Sequence, residues 1–173
     1  MLQDKYLAVA DVCKKDSIDI RASIDKIFPI VEELNFKNSK VIYWLFKLRG
    51  LPVPESLTLK GLEKMNFVRL ETRPGREIII GLIGQFWTIT GGLKRFKPEA
   101  FTSYSNTNNA KATWSFELVE LTNAMTRLTT ETRVLCPTQK AKARFMFYWT
   151  IVRPFSAWIR KEILKSIKKQ AES

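Results

Sequence analysis

The sequence predicts an α+β fold in which a curved antiparallel sheet wraps around one long C-terminal helix. Residues 112–118 and 128–134 alternate apolar with polar side chains, the period of a strand with two unlike faces. After Cys136-Pro137-Thr138 the period changes: Phe145, Trp149, Val152, Phe155, Ile159, Ile163 and Ile167 recur at steps of three and four, a stripe that docks on a sheet. Two short helical patterns follow the first strand, before the sheet resumes.

Residues 17–22 alternate and read as that first strand, with residues 1–15 as an N-terminal extension. Ser23 caps a short helix with Asp25 in its first turn and Ile24, Ile27, Phe28 and Val31 as its apolar face. Pro29 is placed near its front, where a missing N–H costs little. A second helix is expected from the cap Ser39 to Gly50, with Pro52 beyond. Residues 41–46 are apolar on every side, so this helix should roof a pocket or form a contact such as a homodimer interface. Thr58 caps a minor turn ending near Met65.

Strands are expected over 67–72 and 77–87, joined by Arg73-Pro74-Gly75-Arg76 as a type II turn. Gly81 and Gly84 lie inside an apolar strand and mark bending or close approach rather than a phosphate clamp. Gly91-Gly92 reads as loop, residues 98–104 as a helical turn and 106–109 as polar loop. In the last hairpin, an odd-numbered loop around Asn123 pairs Ala112, Trp114, Phe116 and Leu118 with Val134, Thr132, Thr130 and Leu128 on the inner face. Thr113, Ser115 and Glu117, with Arg133, Glu131 and Thr129, then face water. Pro154 should kink the closing helix or divide it at Arg153.

Composition narrows the chemistry. With 173 residues, 45% of them hydrophobic, one core suffices. The longest apolar run, 145–152, stops at Arg153, and residues 6–10 are too short for a signal-peptide core, so a cytoplasmic location is expected. Cys13 and Cys136 are far apart and match no metal or redox spacing. The absence of histidine removes Ser-His-Asp and Cys-His activation and every imidazole metal site, and no cofactor or metal is expected. Cys136 could be activated by the following helix N-terminus, although a buried inert thiol is the favoured reading. Glu77 and Glu131 are candidate acids, but the register puts Glu131 on the outward face, which weighs against an enzyme. Residues 137–173 hold nine basic residues and two acids, a net +7 of the chain's +12. That field favours anionic partners within about 8 Å.

The order strand, two helices, antiparallel sheet, long helix resembles the helix-grip fold of the START-like superfamily, also called SRPBCC or polyketide cyclase/dehydrase-like. Leu48-Arg49-Gly50-Leu51-Pro52, Gly75-Arg76-Glu77-Ile78 with Gly81, Gly84 and Phe86-Trp87, Leu128-Thr129-Thr130-Glu131-Thr132-Arg133, and Arg153-Pro154-Phe155-Ser156 resemble an uncharacterised bacterial branch of it. The resemblance spans the chain from about Asp16 and implies a single START-like domain over residues 1–173. It implies a hydrophobic tunnel between sheet and helix, used elsewhere for lipids, sterols, polyketides or hormones, and it transfers no catalytic residue.

The leading functional expectation is binding of a hydrophobic small molecule or lipid by Trp87, Trp114, Phe116, Thr130, Thr132, Phe145 and Trp149, since apolar walls with a few polar groups suit such a ligand. The competing expectation for each aromatic is plain core. A second function is binding to an anionic membrane through Arg160, Lys161, Lys165, Lys168 and Lys169 beside Phe155 and Trp158, weighed against a solvated lysine face on a helix already buried. Nucleic acid ranks below it because no reading element accompanies the charge. A cyclase or hydratase using pocket carboxylates is the third.

Overall fold

A computed structural model describes residues 1–33, 58–88 and 92–173. In chain order the elements are α1 (Leu2–Leu7), β1 (Val12–Ile20), α2 (Ile24–Glu32), α3 (Leu59–Glu63), β2 (Val68–Arg73), β3 (Glu77–Gly84), a 3-10 turn (Pro98–Ala100), β4 (Ala110–Thr122), β5 (Met125–Leu135) and α4 (Gln139–Glu172). The strands form one antiparallel sheet in the order β1-β5-β4-β3-β2, with α4 lying across it, so the fold is the helix grip. The helix expected between Ser39 and Gly50 lies outside the described residues. No helix among those described is long and apolar enough to cross a membrane.

The β4–β5 register is the one expected. Trp114 pairs with Thr132, Phe116 with Thr130, Ala112 with Val134 and Leu118 with Leu128. The loop differs: a shift between Glu120 and Thr122 absorbs one residue, and a two-residue turn, Asn123-Ala124, replaces the odd-numbered loop. Two-residue turns match the twist of paired strands, and a bulge holds the extra residue. At the β2–β3 turn Gly75 has φ +68° and the Arg76 amide donates to Arg73 O at 3.0 Å, as a type II turn demands. Gly81 is a point of close approach, since a Cβ there would come within 2.9 Å of the Leu70 side chain.

Several boundaries depart from expectation. β1 starts at Val12 and ends at Ile20, and β3 ends at Gly84. The first half of β1 hid from the pattern because Lys14 and Asp16 take the helix-facing positions, opposite Thr132 and Thr130, where alternation calls for apolar residues. Lysines at 14 and 15 also suit an edge strand, discouraging pairing with another chain. Pro29 lies inside α2 rather than at its front, so the helix forgoes the bond to the Asp25 carbonyl. Ile27, Phe28 and Val31 are buried and hold α2 in place despite that loss. Thr58 caps α3 by accepting from the Gly61 amide at 3.0 Å, and Thr138 caps α4 by accepting from the Ala141 amide at 3.2 Å. α4 runs unbroken through Pro154.

The largest correction concerns the outer face of the sheet, which is covered rather than wet. α1, within the stretch read as an extension, buries Thr113, Ser115, Glu77 and Glu131 beneath it. Buried polar groups need partners, and α1 supplies them. Gln3 Nε2 donates to Ser115 Oγ and to Glu131 O, both at 3.0 Å, while Gln3 Oε1 accepts from Thr113 Oγ1 at 2.5 Å. The Leu2 amide donates to both Glu77 carboxylate oxygens, at 2.8 and 2.9 Å. Burial pushes the Glu77 carboxyl up; the Leu2 amide works against that shift and the Glu117 charge adds to it. Arg133 joins Glu131 at 2.5 Å and Asp4 at 2.9 Å, and Lys5 pairs with Glu71. Beside this polar seam Leu2, Leu70, Ile79, Ile83 and Phe101 form an apolar cluster on the same face.

This seat is testable with Gln3→Ala, which strands Thr113 and Ser115 and should cost about 1–3 kcal/mol in urea denaturation. The exposed Gln170→Ala serves as a control with no change expected. An unchanged midpoint for Gln3→Ala would mean that α1 does not seal this face.

Candidate functional site

Alternation on β5, β4 and β3 sends one set of side chains toward α4, and helical spacing sends Phe145, Trp149, Val152, Ser156, Ile159, Ile163 and Ile167 back toward the sheet. The two surfaces meet in two separate clusters. Near the start of α4, Phe145 and Trp149 stack with centroids 5.9 Å apart and pack with Val12, Ala110, Ala112, Val134, Cys136 and Ala141. Toward its end, Ile163, Leu164 and Ile167 pack with Ile78, Ile80, Phe116, Leu118 and Leu128. Leu82 is partly buried against both clusters.

Between them the grip loosens. Val152, Ser156 and Ile159 occupy sheet-facing positions, yet each is only half-buried, and so are Trp114 and Thr132 on the strands. Trp114 packs against the second cluster and tilts on Phe116 with centroids 5.0 Å apart. A polar edge borders this stretch: Arg160, 5% exposed, donates from Nε to Asp16 Oδ2 at 2.6 Å and from Nη1 to Ser156 Oγ at 2.9 Å. Lys14 is exposed two residues along β1 on the same face, opposite Thr132. Removing Asp16 would leave the guanidinium buried without a counter-charge, a loss of about 3–5 kcal/mol for pairs of this kind.

The residues expected to line a pocket therefore divide. Phe116, Thr130 and Phe145 are fully enclosed and fill core. The Thr130 hydroxyl is spoken for, since it accepts from Trp114 Nε1 at 2.8 Å and donates to Ser115 O at 3.0 Å. Trp149 is buried at the inner edge of the first cluster, while Trp87 is partly buried against it. Trp114 and Thr132 sit at the loosened middle.

Of the residues assigned to a basic surface, Arg160 belongs to the interior, paired with Asp16. Lys168 Nζ donates to Asp19 O at 2.7 Å and pairs with Glu172 at 3.4 Å, tying the end of α4 to β1. Lys165 pairs with Glu162 at 3.7 Å, and Lys161 and Lys169 are exposed. Asp16, Ser156 and Arg160 went unnoticed as a unit. The available signal was phase, because Ser156 and Arg160 stand four apart on the sheet-facing side.

The candidate acids Glu77 and Glu131 lie on the α1 side of the sheet, away from α4. Asp16, a carboxylate on the helix side, is committed to Arg160. Cys136 is buried, and burial with the nearby Asp11 charge pushes its thiol up to about 11, the opposite of helix N-terminal activation. Burial opposes ionisation of Asp11, but the Lys142 ammonium and the Cys136 amide outweigh it and hold the carboxyl low. Among the described residues no group of three or more His, Cys, Asp or Glu could hold a metal ion.

These features define a helix-grip protein whose long helix is buried against the sheet near both ends and only partly buried between them. No protein-family model matches the chain, nor does any curated protein. Among solved structures it is similar to a conserved protein from Geobacillus kaustophilus, 13% identical over 91% of this chain and 96% of that one, TM-score 0.43. It is also similar to a hypothetical protein from Helicobacter pylori (8% identical, 98% and 94% covered, TM-score 0.45) and to the Zhui aromatase/cyclase of a Streptomyces species (10%, 92% and 94%, TM-score 0.35). Likenesses this distant bear on no ligand or reaction.

Thiol labelling at pH 8 should separate the cysteines. Cys13 is exposed and should react in the folded protein. Cys136 should react only on unfolding, since with a thiol near 11 only about one molecule in a thousand is thiolate at that pH. Prompt labelling of both would contradict the closed packing at the start of α4.

Proposed function

We propose that the protein binds an amphipathic small molecule or lipid between the sheet and the middle of α4. The observation that carries this reading is the state of α4's inward face, dry at Phe145 and Trp149, dry again at Ile163 and Ile167, and half-open at Val152, Ser156 and Ile159 between them. A helix packed only for stability would bury its middle at least as well as its ends. Trp114, Leu82, Val152 and Ile159 offer apolar wall, while Thr132, Ser156, Arg160 and Lys14 offer donors at one side, the mixture that small-molecule sites use. The sequence resemblance to START-like proteins points the same way. The ligand is accordingly one with an apolar body and an acceptor-bearing or anionic head. Catalysis is not part of the proposal, because the carboxylates considered for it are buried behind the sheet or paired.

The test is titration with the fluorescent fatty acid cis-parinaric acid, comparing wild type with Val152→Trp, which fills the middle of the interface. Binding should weaken about tenfold or more, equivalent to about 1.4 kcal/mol or more, with little change in the unfolding midpoint. Failure of the wild type to bind, or equal binding by Val152→Trp, would overturn the proposal.

A further inference from the structure

The face of α4 turned away from the sheet carries large apolar side chains that the fold leaves in water. Phe147 is 75% exposed, Ile151 55%, Phe155 37% and Trp158 52%. Their spacing, i, i+4, i+8 and i+11, aligns them along one side of the helix over about 17 Å. Single exposed apolar residues are ordinary, whereas a continuous stripe of four, two of them phenylalanine and one tryptophan, is the signature of a contact surface.

The charges around the stripe identify what it contacts. Exposed Lys140 and Arg144 precede it and exposed Lys161 and Lys165 follow it, so the apolar segment is bracketed by cations at both ends. Among the described residues Lys140, Arg144 and Lys161 form no ion pair, and the one acid on this side, Glu162, is engaged with Lys165. We infer that the outer face of α4 is a docking surface for an anionic lipid bilayer, with Phe147, Ile151, Phe155 and Trp158 entering the headgroup boundary and the flanking lysines and arginine holding anionic headgroups. A second copy of this chain fits less well. Packing two α4 helices antiparallel along the stripe would set Lys140 and Arg144 against Lys161 and Lys165, with only Glu162, already paired with Lys165, to compensate. A nucleic acid would want the cations continuous rather than separated by a greasy segment.

This surface shares Phe155, Trp158, Lys161 and Lys165 with the basic end of α4 that the sequence singled out, but it loses Arg160 and Lys168 to interior partners and extends two turns earlier, to Phe147 and Ile151 with Lys140 and Arg144 beyond them. The inference stands independently of ligand binding, because it concerns the opposite side of the helix.

Co-sedimentation with vesicles tests it, using phosphatidylcholine alone and phosphatidylcholine mixed with phosphatidylglycerol. The wild type should partition at least about tenfold more strongly into the anionic vesicles, and added salt should weaken that binding. Phe147→Ser combined with Trp158→Ser should lower anionic-vesicle binding about tenfold or more, each side chain removing apolar burial from the bilayer. Circular dichroism and parinaric acid binding of that double variant should match wild type, since both residues are exposed. The inference fails if the wild type ignores anionic vesicles or the double variant binds them equally well. It also fails if the wild type is a dimer that the double variant dissolves, which would assign the stripe to a second copy.

Discussion

Both faces of this sheet follow from a single register, Trp114 opposite Thr132 and Phe116 opposite Thr130. Because strand side chains alternate with period two, a slip of β4 by one residue would turn Trp114 and Phe116 away from α4 and bring Thr113, Ser115 and Glu117 under it. The register is thus enforced from both sides. Toward α4 it delivers aromatic and aliphatic groups to the grip; away from α4 it delivers hydroxyls and carboxylates that only a polar-edged cover can satisfy. α1 is that cover, and Gln3 is its central contact, reaching Thr113, Ser115 and the Glu131 carbonyl with one side chain.

The long helix is held differently along its length. Its start is pinned by stacked aromatics and by Asp11, which accepts from the Cys136 amide and pairs with Lys142. Its end is pinned by Ile163, Leu164 and Ile167 and by Lys168 on the Asp19 carbonyl. The middle relies on one buried polar link, Arg160 to Asp16 with Ser156, which fixes where the helix crosses the edge strand. A directional link of this kind sets position through geometry rather than through apolar packing.

The β4–β5 hairpin was legible because two strands independently alternate and only one pairing puts both apolar sets on one face. The stripe on α4, the Pro74-Gly75 turn and the Thr58 cap were legible because each follows from local chemistry, except that Phe155, expected in the stripe, stands exposed on the outer side of the helix and Ser156 takes the sheet-facing position. α1 and the start of β1 were not. Six residues are too few to show a helical period, and the charged, helix-facing Lys14 and Asp16 broke the strand pattern. Charge counting along 160–169 also misjudged Arg160, for a sum of charges says nothing about which side of the helix each one occupies. Phe116 and Thr130 were read as pocket walls because alternation gives a side chain's face but not how tightly that face closes.

The central claim is that α4 is sealed to the sheet at both ends and loosened at its middle. Ser156→Cys, made in a Cys13→Ser background, tests it through the rate of thiol labelling in the folded state. The account predicts that Cys introduced at this sheet-facing position reacts far faster than Cys136, which must wait for unfolding. Labelling as slow as that of Cys136 would mean that the helix is sealed along its whole length.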